Sequence, residues 1–541
     1  MLRHLLAICL VLISCLASEQ THFDTKLPDE FDLHGYQLIH FEGLDGRQYG
    51  SLHSQLNFIV AHYSSDIFRK AAIISFYDVL YASSVQAMLS QILSQKPLGL
   101  LFLVPEKLTK SEIFGTYPDV SNWEELQMIL SKQSLEIPVY FVKEEEQTVA
   151  FYNEQREVAF LKATGQIRSQ NWWSQLFSIE IPEFVAFTNP GEATVQEENT
   201  VEVFYSLLSF SSVPDSNRPI IAISASYDAL SIAPELSIGM GASGASLLAV
   251  LSLAKIFNEV KHSKRFNASD FEYDILFILS PTASLKYEAT QQFLEILKTN
   301  IRESIRLVVC LDSLIDQYNN IDEQLLYVHG LVTELSEKFT QQLKLTVGNK
   351  NEEQRGVQTF EHTVYKDKGI PAITVSSLYR PYLQSIYQKY SIFDSQLPCS
   401  QQLFKLYTSI ADALFFTISS STQAKLPIDF LATALPLSFL SNVTALLQYT
   451  PRSPAHHLQK DSPTTNTLYA LFTQSAHHVQ RMSISLKQSP YFYPSPSVTI
   501  HASRVGARGL ELLVFIGTIL YLMLLTGIAQ HLSREKTIKK D

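Results

Sequence analysis

The sequence predicts an α/β protein: a mostly parallel sheet flanked by helices, preceded by a smaller α/β lobe and followed by one C-terminal transmembrane helix. Three observations predict it. Short β-branched apolar runs alternate with helical stretches from about residue 71 to 417, the pattern of strands covered on both faces. Residues 219–257 join such a strand to a glycine-punctuated turn and an Ala/Leu-rich helix, apolar nearly all round and so expected to be buried. Residues 512–529 carry no charge, close to the roughly 20 apolar residues that a bilayer span needs.

At 541 residues the chain has room for a large domain and a smaller one. A hydrophobic share of 46% against 18% charged is a folded, globular balance. The net charge of −11 argues against direct nucleic-acid binding, which needs a basic patch to meet phosphates. Residues 1–17 open with Arg3 and His4, continue as an apolar run and end in small residues. That is the pattern of a signal peptide, and it is too short to span. Together with the charge-free stretch it predicts a type I protein: a luminal body, a span at 509–529 and a cytosolic tail at 530–541. Cys310 and Cys399 remain once the signal peptide is removed. They could pair in an oxidising lumen, although Cys310 sits in an apolar run and reads as a buried strand residue.

Taken in order, residues 18–215 form the N-terminal luminal lobe. Gly43-Leu44-Asp45-Gly46 reads as a hairpin turn. Residues 71–76, 99–104 and 138–142 read as strands, with helical spacing at 85–93 and 123–130. Glu144-Glu145-Glu146 reads as a solvated turn. The main domain, 216–425, has strands at 220–225, 273–279, 306–311 and 372–375, separated by helices at 245–260, 289–298 and 334–342 and followed by one at 402–417. Residues 426–508 read as a helical and extended juxtamembrane segment. Its pairs His456-His457 and His477-His478 point apart on a helix, unlike the i, i+4 pair of a zinc site, and read as surface histidines.

The chemistry turns on what stands at the strand ends. Strand 220–225 ends in Ser226-Tyr227-Asp228, and the turn before the helix reads Gly239-Met240-Gly241-Ala242-Ser243-Gly244. This stretch resembles the core of the zinc aminopeptidase-like (M28-type) fold, in which the strand ends in His-x-Asp and the turn carries an Asp that bridges two zinc ions. The resemblance puts Ser226 at the His position and Gly241 at the bridging Asp. It puts Pro281 and Thr282 at a Glu-Glu pair, whose first member would be the general base, and Tyr390 at the final His. Asp312 alone is retained as a ligand. Asp228 is retained too, and with the set broken both carboxylates are expected to bond loop amides. A lone carboxylate cannot hold a dinuclear site, so no metal, no cofactor and no catalytic residue is expected. Ser243 reads as a helix N-cap and His362 as a packing residue.

Further matches run in order along nearly the whole chain: Tyr49-Gly50, the strand 137–141, Tyr227-Asp228-Ala229, Ser237-Ile238-Gly239, residues 253–257, Cys310-Leu311-Asp312 and Glu361-His362. By these the chain resembles the nicastrin/nicalin group of M28-like proteins, which lack the metal site, and its nicalin branch more closely. The resemblance implies a non-enzymatic scaffold subunit in the endoplasmic-reticulum membrane, assisting multipass membrane-protein biogenesis at the Sec translocon and ribosome. It implies a Nodal modulator-like protein and a small multi-spanning membrane protein as partners. A nicastrin-like substrate receptor of an intramembrane protease and an active luminal metallo-aminopeptidase are the alternatives. The tail ends Lys539-Lys540-Asp541, out of register for a dilysine retrieval signal. Asn267 and Asn442 are glycosylation sequons expected in the lumen, in a loop and near a helix end.

Overall fold

The computed structural model describes residues 27–105, 121–165, 183–188, 199–211, 218–281, 286–315, 326–330, 332–347, 360–379, 392–394, 397–420, 425–457, 462–487, 490–493, 497–504, 517–519 and 521–528. The expected signal peptide, Thr282 and Tyr390 lie outside them.

In the N-terminal lobe seven strands close into a ring. Their order is Glu30–Gln37, Ser497–Arg504, Phe184–Thr188, Asn57–His62, Ala71–Ser75, Gly99–Pro105 and Val139–Glu144, the last pairing back to the first. Asn57–His62, Ala71–Ser75, Gly99–Pro105 and Val139–Glu144 run parallel. The remaining pairs are antiparallel. All of Ala71–Ser75 and nearly all of Gly99–Pro105 are buried, as continuous apolar runs covered on both faces must be. Phe31, Phe151 and Phe184 meet edge-on with ring centroids 5.3–5.6 Å apart, the arrangement that aromatic quadrupoles favour. The hairpin at 43–46 closes between His40–Glu42 and Gln48–Ser51, with Gly46 in the left-handed region. The glutamate triplet is a strand-to-helix junction where a solvated turn was expected. Glu144 ends one strand, and Glu145 caps the helix Glu146–Ala163, placing negative charge at a helix N-terminus.

The main domain is built on an eight-stranded sheet in the order Thr346–Val347, Tyr327–Gly330, Ala372–Ser376, Ile305–Leu311, Ile220–Ser226, Asp274–Ser280, Thr200–Leu208, Gln480–Ser485. Its centre, from Ala372–Ser376 to Asp274–Ser280, is parallel. Its flanks are joined antiparallel, so the mostly parallel sheet that was expected carries antiparallel additions on both sides of its centre. The difference has a topological cause. Thr200–Leu208 enters from the N-terminal lobe and Gln480–Ser485 from the C-terminal segment, so neither arrives through a βαβ crossover, the unit that makes neighbours parallel.

The helix Ala245–His262 lies across the sheet with thirteen of its side chains buried. With the turn before it, Met240–His262 is the one helix among the described residues long and apolar enough to cross a membrane, yet it is enclosed in this domain. In the expected span, residues 517–519 and 521–528 are helical, with Tyr521, Leu522, Met523 and Leu524 exposed.

Residues of the expected juxtamembrane segment weave through both lobes. The helices Ile428–Ala434, Leu437–Gln448 and Pro463–Ser475 pack on Ala245–His262. Gln480–Ser485 then edges the main sheet, Tyr491–Tyr493 joins the hairpin sheet and Ser497–Arg504 closes the ring. His477 and His478 are exposed. His456, expected on the surface, is half-buried, with Nε2 3.2 Å from the Glu235 carboxylate. Asn267 is exposed in a loop. Asn442 is exposed too, but in the middle of Leu437–Gln448 and not near its end. Cys310 is buried, Cys399 is exposed, and both are free thiols.

Candidate functional site

The parallel strands at the centre of the main sheet end at one edge, where the crevice of an open α/β sheet forms. Here it gathers Ser226 and Asp228, Ser280 and Pro281, Asp312 and Ser313, and Ser376 and Ser377. Above them runs the turn Met240–Gly244, a single π-helical turn leading into Ala245–His262. It opens at Gly239, whose φ is +59° and where a Cβ would come 2.4 Å from that of Ala229, so only glycine fits. Ser243 lies inside this turn and not at an N-cap, its hydroxyl 3.4 Å from the Gly239 carbonyl.

The cap comes from elsewhere. Asp394 accepts from the Gly241 amide at 2.6 Å and from the Ala242 amide at 2.8 Å, while its own carbonyl accepts from Met240. At Gly241, which the resemblance sets against the bridging Asp, it is the backbone N–H that binds a carboxylate. A carboxylate on the first amides of a helix also meets the positive end of the helix dipole.

Four carboxylates converge at this edge: Asp228, Asp312, Glu361 and Asp394, none more than 9% exposed. Their compensation is visible. The guanidinium of Arg452, fully buried, donates to the carbonyls of Ile238 and Gly239, and its charge acts on Asp394 and Asp228. Burial lowers the Arg452 pKa to about 10, which leaves it a cation at neutral pH. Ser226 donates to Asp228 at 2.6 Å. Asp312 accepts from the Tyr287 hydroxyl at 3.1 Å and the Ser313 hydroxyl at 2.8 Å. Among the described residues these partners are side-chain hydroxyls; the expectation was loop amides. Beneath them, Glu361 accepts from Ser224 and Thr290, each at 2.8 Å, and burial pushes its pKa up to about 7. His362 bonds Thr374 at 2.9 Å, and burial drives its pKa down to about 3, so it is a neutral packing residue as expected.

This donor set does not fit a pair of zinc ions. Ser226, Gly241 and Pro281 offer neither imidazole nor carboxylate, and the cation Arg452 stands beside the carboxylates that remain. Among the described residues no three His, Cys, Asp or Glu side chains are grouped so as to hold a metal. Neither Asp394 nor Arg452 was anticipated from the sequence as a group gathered at these strand ends. Asp394 lies just beyond Tyr390 in a stretch with no motif of its own, and Arg452 in a proline-flanked one.

Fold and site together define a class: an α/β scaffold whose strand-end crevice is closed by its own side chains. The crystal structure of nicastrin, the γ-secretase component, superposes with a TM-score of 0.56 at 13% identity, over 89% of this chain and 100% of that one, and shares the fold. No family model matches the chain. Two curated relatives align over nearly its full length. The BOS complex subunit ncln of Danio rerio is 24% identical over 96% of this chain and 92% of its own. The BOS complex subunit NCLN of Homo sapiens is 22% identical over 92% and 89%. The chain is a distant homologue of these nicalin subunits.

Proposed function

We propose that the chain is a non-enzymatic, nicalin-like subunit of an endoplasmic-reticulum membrane complex that assists multipass membrane-protein biogenesis at the Sec translocon. The observation that carries this reading is end-to-end homology to BOS complex subunits in a chain whose hydrolytic positions hold Ser226, Gly241 and Pro281. A Nodal modulator-like protein and a small multi-spanning membrane protein are the expected partners. The body, 18–508, is luminal, the span is 509–529, and the tail, 530–541, is cytosolic. The exposed apolar helix at 521–528 supports a membrane segment there, since a contiguous apolar surface of that kind needs cover.

The test is affinity purification of the full chain from gently solubilised membranes, followed by mass spectrometry. The two partners and translocon subunits are expected in stoichiometric yield; a chain recovered without them overturns the reading. Topology is checked separately. Asn267→Gln or Asn442→Gln should abolish a glycosidase-sensitive mobility shift in microsomes. A body digested by protease added outside sealed microsomes would contradict the luminal assignment.

A further inference from the structure

The N-terminal lobe also has parallel strands ending at one edge, and there the structure holds an open cleft of about 550 Å³. That volume falls within the roughly 300–1,000 Å³ typical of ligand sites. Four elements build it. Tyr63 follows the strand Asn57–His62, Tyr77 and Asp78 lie on the helix Phe76–Leu80 with Tyr81 just beyond, Met88 comes from Val85–Ser94, and Arg156 from Glu146–Ala163.

The floor is braced. Asp78 accepts from the Ser75 amide at 2.8 Å and the Tyr152 hydroxyl at 2.6 Å, and Tyr63 bonds it as well. The Tyr152 hydroxyl also lies 3.2 Å from Nε2 of His62. Burial lowers the His62 pKa, so the network is held by a neutral ring. Around this rigid base the walls face solvent: Tyr81 is 73% and Tyr77 38% exposed. Tyrosine, methionine and arginine in one concave surface is the composition of protein-binding hot spots, where rigid amphipathic rings bury area at small entropic cost.

Arg156 supplies the polarity of the site. It is exposed, and among the described residues it makes no hydrogen bond or salt bridge. Its fork is therefore available to a carboxylate, which a guanidinium can bind through two parallel hydrogen bonds.

We propose that this cleft docks a short acidic peptide segment of a partner, an apolar or aromatic anchor lying between Tyr77, Tyr81 and Met88 and a carboxylate pairing with Arg156. The inference does not depend on the scaffold reading, because it concerns a surface outside the vacated crevice.

The probes are three fluorescein-labelled nonapeptides sharing a Phe-Leu anchor and carrying glutamates, serines or lysines at the flanking positions. Binding to the full chain in detergent micelles is followed by anisotropy. The acidic peptide is expected to bind about tenfold or more tighter than the lysine one, a gap of about 1.4 kcal/mol. Arg156→Glu reverses that order and Tyr81→Ser weakens the acidic peptide by about tenfold, while Tyr449→Ser, at another exposed tyrosine, leaves binding unchanged. Arg156 and Tyr81 are surface residues, so unchanged melting confirms that both variants fold; Met88→Gln provides a third. Equal affinity for all three peptides, no binding at about 1 mM peptide, or indifference to both surface variants overturns the proposal. Tyr81-dependent self-association without peptide binding also overturns it, by making a second copy the occupant.

Discussion

At the ends of the central strands of the main sheet, four buried carboxylates face one buried arginine and a set of hydroxyls. At the equivalent ends in the N-terminal lobe, Asp78 is braced by tyrosines and the space above it stays open. Both places are where an α/β sheet offers a crevice. The difference lies in what the rest of the chain brings. In the main domain the segment around Arg452 returns and inserts a cation under the helix N-terminus; in the N-terminal lobe the strand that returns, Ser497–Arg504, completes the ring by pairing with Glu30–Gln37 and Phe184–Thr188. A crevice keeps buried acidic groups only if something else carries the opposite charge, because an unpaired buried carboxylate costs several kcal/mol.

Breaking the closed site should therefore cost more than altering the open one. The largest effect is expected from Arg452→Met. It leaves Asp394 and Asp228 buried without their cation, a loss of about 3–5 kcal/mol, read as a lower urea midpoint of the full chain in detergent. A midpoint shift below about 1 kcal/mol would mean that the carboxylates find their compensation elsewhere.

Glu361→Gln comes next, and its signature is pH dependence. The folded-state pKa of about 7 lies above the ordinary 4.5, so the folded chain holds a proton that the unfolded chain releases. The stability this group contributes is fully present below about 4.5 and is lost as pH rises through 7. The total is about 3 kcal/mol at the far end of that window. The amide has no such titration, so the variant should lose this slope between pH 5 and 8 and gain most over the native chain at pH 8. An unchanged slope would place the titrating group elsewhere.

Asp394→Ala should cost about 1–2 kcal/mol by removing the cap on Gly241 and Ala242, measured in the same denaturation. In the open cleft, Tyr81→Ser touches a side chain 73% exposed and should change stability by less than about 0.5 kcal/mol. A larger loss there would show the cleft to be structural in the way the crevice is.

The strand-and-helix frame was legible because it is written locally. The runs at 220–225 and 306–311 are β-branched and apolar, and the structure extends them only to Ile220–Ser226 and Ile305–Leu311. The helix at 334–342 appears as Glu334–Gln342, since Thr333 caps it from the neighbouring position. The residues at the strand ends, Ser226, Pro281 and Asp312, were legible for the same reason: each stands at a fixed distance from a strand read locally. What balances the charge there was not. Asp394 reaches amides more than 150 positions earlier, and Arg452 reaches carbonyls more than 200 earlier. Nothing in a local window distinguishes a buried arginine from a surface one. The outer partner of Thr200–Leu208 was hidden likewise, because Gln-Arg-Met-Ser-Ile-Ser at 480–485 alternates over only a few residues and finds its place by pairing far along the chain.

The crevice is closed by the chain's own groups, with Asp394 on the Gly241 and Ala242 amides and Arg452 beside it. The direct measurement is zinc content of the purified full chain after dialysis, by elemental analysis, with the thermal midpoint recorded before and after a chelator. Less than about 0.1 zinc per chain and an unchanged midpoint are expected, since Arg452 stands beside the carboxylates. One or two zinc ions per chain, with a midpoint that falls on chelation, would contradict it.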